Sequence, residues 1–248
     1  MIQFLKESTF AVNDVIRKSW LVLKSNYFSI AGLCLSLFIT SNASGVLAFY
    51  LQDVSPALSY FMAFLFVVAY FGIQLTLFKY IFRLIDRQEK IRLSRTIPTT
   101  REMARFFMAM LIAILLILAS YLIVSVLAWP LIYLFGVGLV VNATIVVAAF
   151  FTLYLLLRIA FYPFFIIDRN SRAIEAIRLS LALTKGNVVK LLLILAFFAI
   201  LHLLYIYFNY LGYPLVSTFV SVLTSFIVVP LSSVIVAMAY RVMMKRYG

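Results

Sequence analysis

Cysteine and histidine each occur once, as Cys34 and His202. A single cysteine excludes an internal disulfide framework and any Cys-based zinc or iron–sulfur centre. A single histidine excludes His-cluster metal chemistry. Charge is scarce as well: 12% of the 248 residues are charged, and only 8 of them are acidic. Ordinary soluble domains carry about twice that share of charge. In its place stands apolar surface, at 66% of residues and a mean hydropathy of +1.12. Most of such a chain must face lipid. The longest stretch without a membrane-grade apolar run is residues 83–105, too short for a separate catalytic domain, since chains below about 40 residues rarely hold a core unaided.

A helix needs roughly 20 apolar residues to cross the hydrocarbon. Six segments qualify, at about residues 28–50, 57–78, 106–129, 137–157, 188–211 and 215–240. Runs such as 110–118 and 191–200 are apolar on every face, which excludes the alternating strands of a β-barrel. The loops 52–56, 130–136 and 212–214 contain no Lys or Arg, so all 21 basic residues fall on the other side. By the positive-inside rule both termini are expected in the cytoplasm. Of the acids only Asp53 falls outside. The net charge of +13 is then a basic skirt at headgroup level, with no compact basic domain to grip nucleic acid. The first span is too long for a signal-peptide core and follows a mixed-charge segment with Glu7 and Asp14, so it is expected in the mature protein.

Before span one, Val12, Val15, Ile16, Trp20 and Leu23 recur at helical spacing among Asp14, Arg17, Lys18 and Lys24, which predicts an amphipathic interfacial helix over 8–25. Before span five, Ile174, Ile177 and Leu181 form a second apolar stripe, with Arg172, Glu175 and Arg178 away from it. Residues 14–26 match residues 175–187 at one constant offset. Ile16 and Ile177, Arg17 and Arg178, Ser19 and Ser180, Lys24 and Lys185, and Asn26 and Asn187 are identical, and an acid opens each copy. Each copy feeds a helical hairpin with a proline in its outer turn, Pro56 or Pro214. The middle hairpin carries Pro130. The spacing suggests three parallel in–out–in units, a known membrane design; shared juxtamembrane composition would also give such matches.

Between spans four and five, Arg158 and Pro163 close one span, and Ala176 with Ser180, then Leu183-Thr184-Lys185-Gly186, precede the next. This pattern resembles the membrane domain attached to some bacterial glycerophosphodiester phosphodiesterases and the related YciC-like inner-membrane proteins. The match covers about residues 158–190. The resemblance implies a bacterial inner-membrane protein. It brings no catalytic residues, because the hydrolase chemistry of those proteins sits in a separate soluble domain.

The densest polar cluster holds Arg158, Asp168, Glu175, Arg178, Ser180, Lys185 and Asn187. One reading is a structural corner, with Glu175 and Arg178 paired one turn apart, Gly186 ending the interfacial helix and Asn187 capping span five. The other is a phosphate-headgroup site formed by Arg158, Arg178, Lys185 and Asn187 at a helix N-terminus. Both can hold together. In span six, Ser217, Ser221, Thr224 and Ser225, with Ser232 a turn on, form one hydroxyl face beside a kink at Pro230. Such a face packs helices closely or lines a path. His202, without a carboxylate at its depth, suits a hydrogen bond to a neighbouring helix; Gln74, Asn42 and Asn142 suit the same interhelical role. No Asp or Glu lies within a span, which argues against an ion-coupled carrier, and no nucleophile–base pair or metal cluster can be assembled.

The composite expectation is an all-α membrane protein, one polytopic domain over residues 1–248. Its six transmembrane helices form three parallel in–out–in hairpins, with amphipathic cytoplasmic helices before spans one and five. It is expected to be no enzyme, to need no cofactor or metal, and to sit multi-pass in a bacterial inner membrane. Anionic lipid headgroups at its basic face, and other membrane proteins, are its expected partners. The rival expectation is an uncoupled transporter or lipid-moving protein with a path beside span six.

Overall fold

A computed structural model describes residues 11–52, 55–87 and 93–247. Among them there is helix and no strand. The long helices are α1 (Val12–Gln52), α2 (Pro56–Arg87), α3 (Thr100–Ala128), α5 (Val137–Ile159), α8 (Val188–Tyr210) and α10 (Val229–Tyr247). Between them lie the short α4 (Ile132–Phe135), α6 (Tyr162–Arg169), α7 (Ala173–Leu183) and α9 (Pro214–Leu223). Among the described residues, six helical segments are long and apolar enough to cross a membrane: Val12–Leu51, Pro56–Asp86, Thr100–Phe135, Val137–Arg169, Val188–Tyr210 and Leu215–Lys245.

Most of these segments are longer than the apolar cores read from the sequence. Backbone hydrogen bonding does not stop where the side chains turn polar, so the helices continue through charged turns. The extensions carry Asp86, Glu102 and Asp168. Glu102 stands in the first turn of α3, where the helix dipole favours an acid. The interfacial helix expected over 8–25 is continuous with span one in α1, interrupted only at Asn26 (φ −129°, ψ 23°). Its residues 8–10, like Asp53, lie outside the described residues, as does the side chain of His202.

The fold gathers into two compact units, each described by itself. In the unit of residues 100–192, α3 packs on α5, α6 and α7. Phe106, Ala109 and Ala113 give α3 a buried stripe at helical spacing. It meets Phe161, Phe164, Phe165 and Ile166 around α6, and Ala173, Ala176 and Ile177 on α7. The Phe106 and Tyr162 rings stack at 5.7 Å.

The second unit takes the described residues of 11–99 and 193–247. Here α1 packs on α2 and α10. Val15, Leu23, Ile30, Cys34 and Leu37 form the buried stripe of α1. They are met by Leu77, Tyr80, Ile81 and Leu84 of α2 and by Ile235, Met238 and Tyr240 of α10. Span six is not one regular helix: a π turn at Thr224–Val228 joins α9 to α10. Pro230 has no N–H to give to the Phe226 carbonyl four residues back. The Tyr27 hydroxyl donates to that carbonyl instead, at 2.9 Å.

Candidate functional site

The polar cluster between spans four and five begins at a broken helix. After Ile159 the chain leaves helical geometry at Phe161 (φ −97°, ψ 3°), and α6 restarts with Pro163 in its first turn. Pro163 has no N–H to give to the Ile159 carbonyl four residues back, and its ring crowds that turn, so the helix breaks before it. A break strands backbone groups that must find partners when buried. Ser180, fully buried on α7, supplies both. Its Oγ–H donates to the Arg158 carbonyl at 2.9 Å, and its Oγ accepts from the Phe161 N–H at 3.1 Å. The Thr184 hydroxyl, one turn on, lies 3.1 Å from the same Arg158 carbonyl and 2.9 Å from that of Ser180, sharing its single proton between them.

The ends of α6 and α7 are fixed by equally local means. Asn170 takes a left-handed conformation (φ 53°), and Ser171 N–H reaches back to the Phe165 carbonyl at 3.3 Å. The Arg105 guanidinium donates to both the carbonyl and the Oδ1 of Asn170. Glu175 does not pair with Arg178 as expected. Its carboxylate accepts the Arg172 N–H at 3.3 Å, which satisfies a backbone donor stranded at the start of α7. Past α7 the chain turns at Gly186, whose φ of +81° lies in the left-handed region. Asn187 is fully buried; its N–H donates to Thr184 at 3.0 Å and its carbonyl opens α8 by accepting from Leu191 at 3.1 Å.

The four expected headgroup ligands are therefore set differently. Arg158 is half-buried, its guanidinium 6.0 Å over the Tyr154 ring, and its carbonyl serves the corner. Asn187 belongs to the interior, and Lys185 is exposed at the far end of α7. Of the four, only Arg178 lines a cavity of about 480 Å3, which it shares with Arg172, Glu175, Met108, Ile112, Ala173 and Ile174. Arg172 lies outside the expected set: six residues from Arg178 it shares no helix face with it, and it joins from the extended position before α7 (φ −72°, ψ 158°), which spacing does not mark. Two arginines and an apolar wall line the cavity, with the one carboxylate beside them committed to the helix start.

In span six the hydroxyls divide between their own helix and a small cavity. Thr224 donates to the Val220 carbonyl at 2.7 Å and Ser232 to Val229 at 2.9 Å. Ser217 is buried, while Ser221 and Ser225 line a cavity of about 150 Å3 with Cys34, Phe38 and Phe226. Asn42, expected to reach a neighbouring helix, donates to its own Phe38 carbonyl at 2.8 Å.

Compared with protein-family models, with curated proteins and with solved structures, the chain gives no match. What it is rests on its own residues: six apolar helices compatible with a multi-pass membrane protein.

Proposed function

We propose that this chain is a non-enzymatic, multi-pass protein of a bacterial inner membrane that organises lipids or partner proteins through a basic cytoplasmic face. In this reading the six spans form three parallel in–out–in hairpins, with the basic ends inward, and the chain is akin to the membrane domain it resembles over residues 158–190. The observation that carries the reading is the cavity where Arg172 and Arg178 stand beside Met108, Ile112 and Ile174. Guanidinium groups bind phosphate in bidentate fashion, and an apolar wall next to them suits the acyl chains of the same molecule. The complete segregation of Lys and Arg supports placing that cavity at an anionic leaflet. Two hydroxyls of span six, Thr224 and Ser232, bond to their own helix, and the cavity beside Ser221 and Ser225 is only about 150 Å3, which supports a packing role over a transport path.

Charge reversal at Arg172 and Arg178 tests the proposal. Native mass spectrometry of the detergent-extracted protein should show co-purified anionic phospholipid falling at least tenfold in the Arg172→Glu/Arg178→Glu variant, since each basic group near an anionic surface contributes roughly 1 kcal/mol. Lys185→Glu, outside the cavity, should change retention far less. Unchanged retention in the double variant would overturn the reading and leave the corner as scaffolding.

A further inference from the structure

The second unit holds a basic cavity that the sequence pattern does not announce. Lys18 on α1 meets Arg241 and Lys245 on α10 around a space of about 470 Å3, whose floor includes Leu21, Val22 and Leu84. Arg241 and Lys245 are one helical turn apart and so share a face. Arg241 is fixed in place: its guanidinium donates to Asp86 at 2.6 Å and sits 4.7 Å over the Phe82 ring. Phe82 is in turn packed on the fully buried Tyr240 at 5.3 Å between ring centres. Lys18 and Lys245 are exposed, and neither has an ion-pair partner among the described residues. Three cations against the single carboxylate of Asp86 leave the cavity net positive.

Basic residues in the last turn of a helix often do no more than offset its dipole. That accounts for Lys245, but not for Lys18 near the opposite end of another helix, nor for the apolar floor. We propose that this cavity binds an anionic phospholipid, its phosphate held by Lys18, Arg241 and Lys245 and the start of its acyl chains lying on Leu21, Val22 and Leu84. The Asp86 carboxylate and the Phe82 ring are positioning groups that keep the Arg241 guanidinium facing the headgroup. The inference rests on the basic face lying at the cytoplasmic leaflet, and it adds a second lipid site, in the other unit, to the one at Arg172 and Arg178.

The probe is phosphatidylglycerol in nanodiscs, with phosphatidylcholine as the neutral comparison. A photo-crosslinking residue at Val22, half-buried in the wall of this cavity, reports its occupancy. Lys18→Gln/Lys245→Gln, which leaves the Arg241–Asp86 pair intact, should lower the crosslink to phosphatidylglycerol about fivefold for each cation removed and leave the phosphatidylcholine yield unchanged. Protection of Cys34, 4% exposed, from a thiol reagent verifies that the variant is folded. Arg172→Gln/Arg178→Gln should not alter this crosslink. Undiminished crosslinking in the lysine variant overturns the second site but leaves the first standing if its own variant still loses lipid. A phosphatidylglycerol yield no higher than that with phosphatidylcholine, in a protein that still binds millimolar inorganic phosphate, would overturn the lipid assignment in favour of a free-anion site.

Discussion

Residues 14–26 and 175–187 bury the same face and put it to different use. Val15 and Ala176, Ser19 and Ser180, Leu23 and Thr184 are buried at matching positions, while Arg17 and Arg178, Lys24 and Lys185 are exposed. Yet the later segment stops at Leu183 and restarts at Val188, whereas the earlier one runs on through a kink at Asn26. Ser180 joins two stranded backbone groups; the Ser19 hydroxyl, equally buried, has no hydrogen-bond partner among the described residues. The turn of the later segment is its own, at Gly186 where the earlier one has Ser25, but the use of the hydroxyl is not. A proline-broken helix precedes one of them, and a small hydroxyl becomes a structural joint only where a neighbouring backbone has been opened. The shared burial follows from apolar and small residues recurring at helical spacing in both segments.

The comparison breaks most sharply at Ser180. Ser180→Ala strands the Phe161 N–H in the interior, and Thr184 alone remains to serve the Arg158 carbonyl. Leaving a buried donor unsatisfied costs about 1–3 kcal/mol, so the melting temperature in detergent, followed by circular dichroism, should drop clearly. Thr184→Val alone should cost less, because Ser180 still holds both groups. Combined, the two should lose more than their sum, since residues sharing one acceptor do not act independently. Simple additivity would show that the joint is not shared.

Gly186 gives the next largest effect. An added Cβ would meet nothing within 4 Å, so any penalty is that of its φ of +81° alone. A left-handed alanine costs about 1 kcal/mol, and Gly186→Ala should lower the melting temperature accordingly. Its counterpart Ser25 lies within a continuous helix, with its Oγ donating to the Val22 carbonyl at 3.0 Å. Ser25→Ala should be neutral or gain a few tenths of a kcal/mol from helix propensity. Equal losses at both positions would mean that the earlier segment also turns through a left-handed residue.

The six spans were legible because apolar length is written into composition, and the physics of crossing lipid leaves few alternatives. Their ends were not, because a helix ends where capping and packing stop it, not where hydropathy falls. The short α6 hid behind Pro163, although the buried run Phe164 to Ile167 after that proline was a helix signal. The corner was found by its polar residues but misassigned in detail. Glu175 stands three residues after Arg172, where a helix-start carboxylate belongs, and that position overrode the expected pair with Arg178. The basic cavity of Lys18, Arg241 and Lys245 joins opposite ends of the sequence, and only folding brings them together. The π turn before Pro230 had no sequence mark beyond the proline itself.

The smallest effect is expected at Ser19, and it is the most discriminating. If the earlier segment has kept a buried hydroxyl with no backbone to join, Ser19→Ala removes a desolvated polar group and returns nothing to water unpaired. Replacing such a group with an apolar one is near neutral or mildly stabilising, while cutting a functioning joint is not. The protein carries its own reporter for this unit: Cys34 lies on the same helix, buried at 4% exposure. The rate of its reaction with a maleimide on heating should stay level or fall slightly in Ser19→Ala. An acceleration comparable to that from a lost buried hydrogen bond would mean that Ser19 has a backbone partner of its own in solution. The two segments would then differ in the helix they join, not in whether they join one.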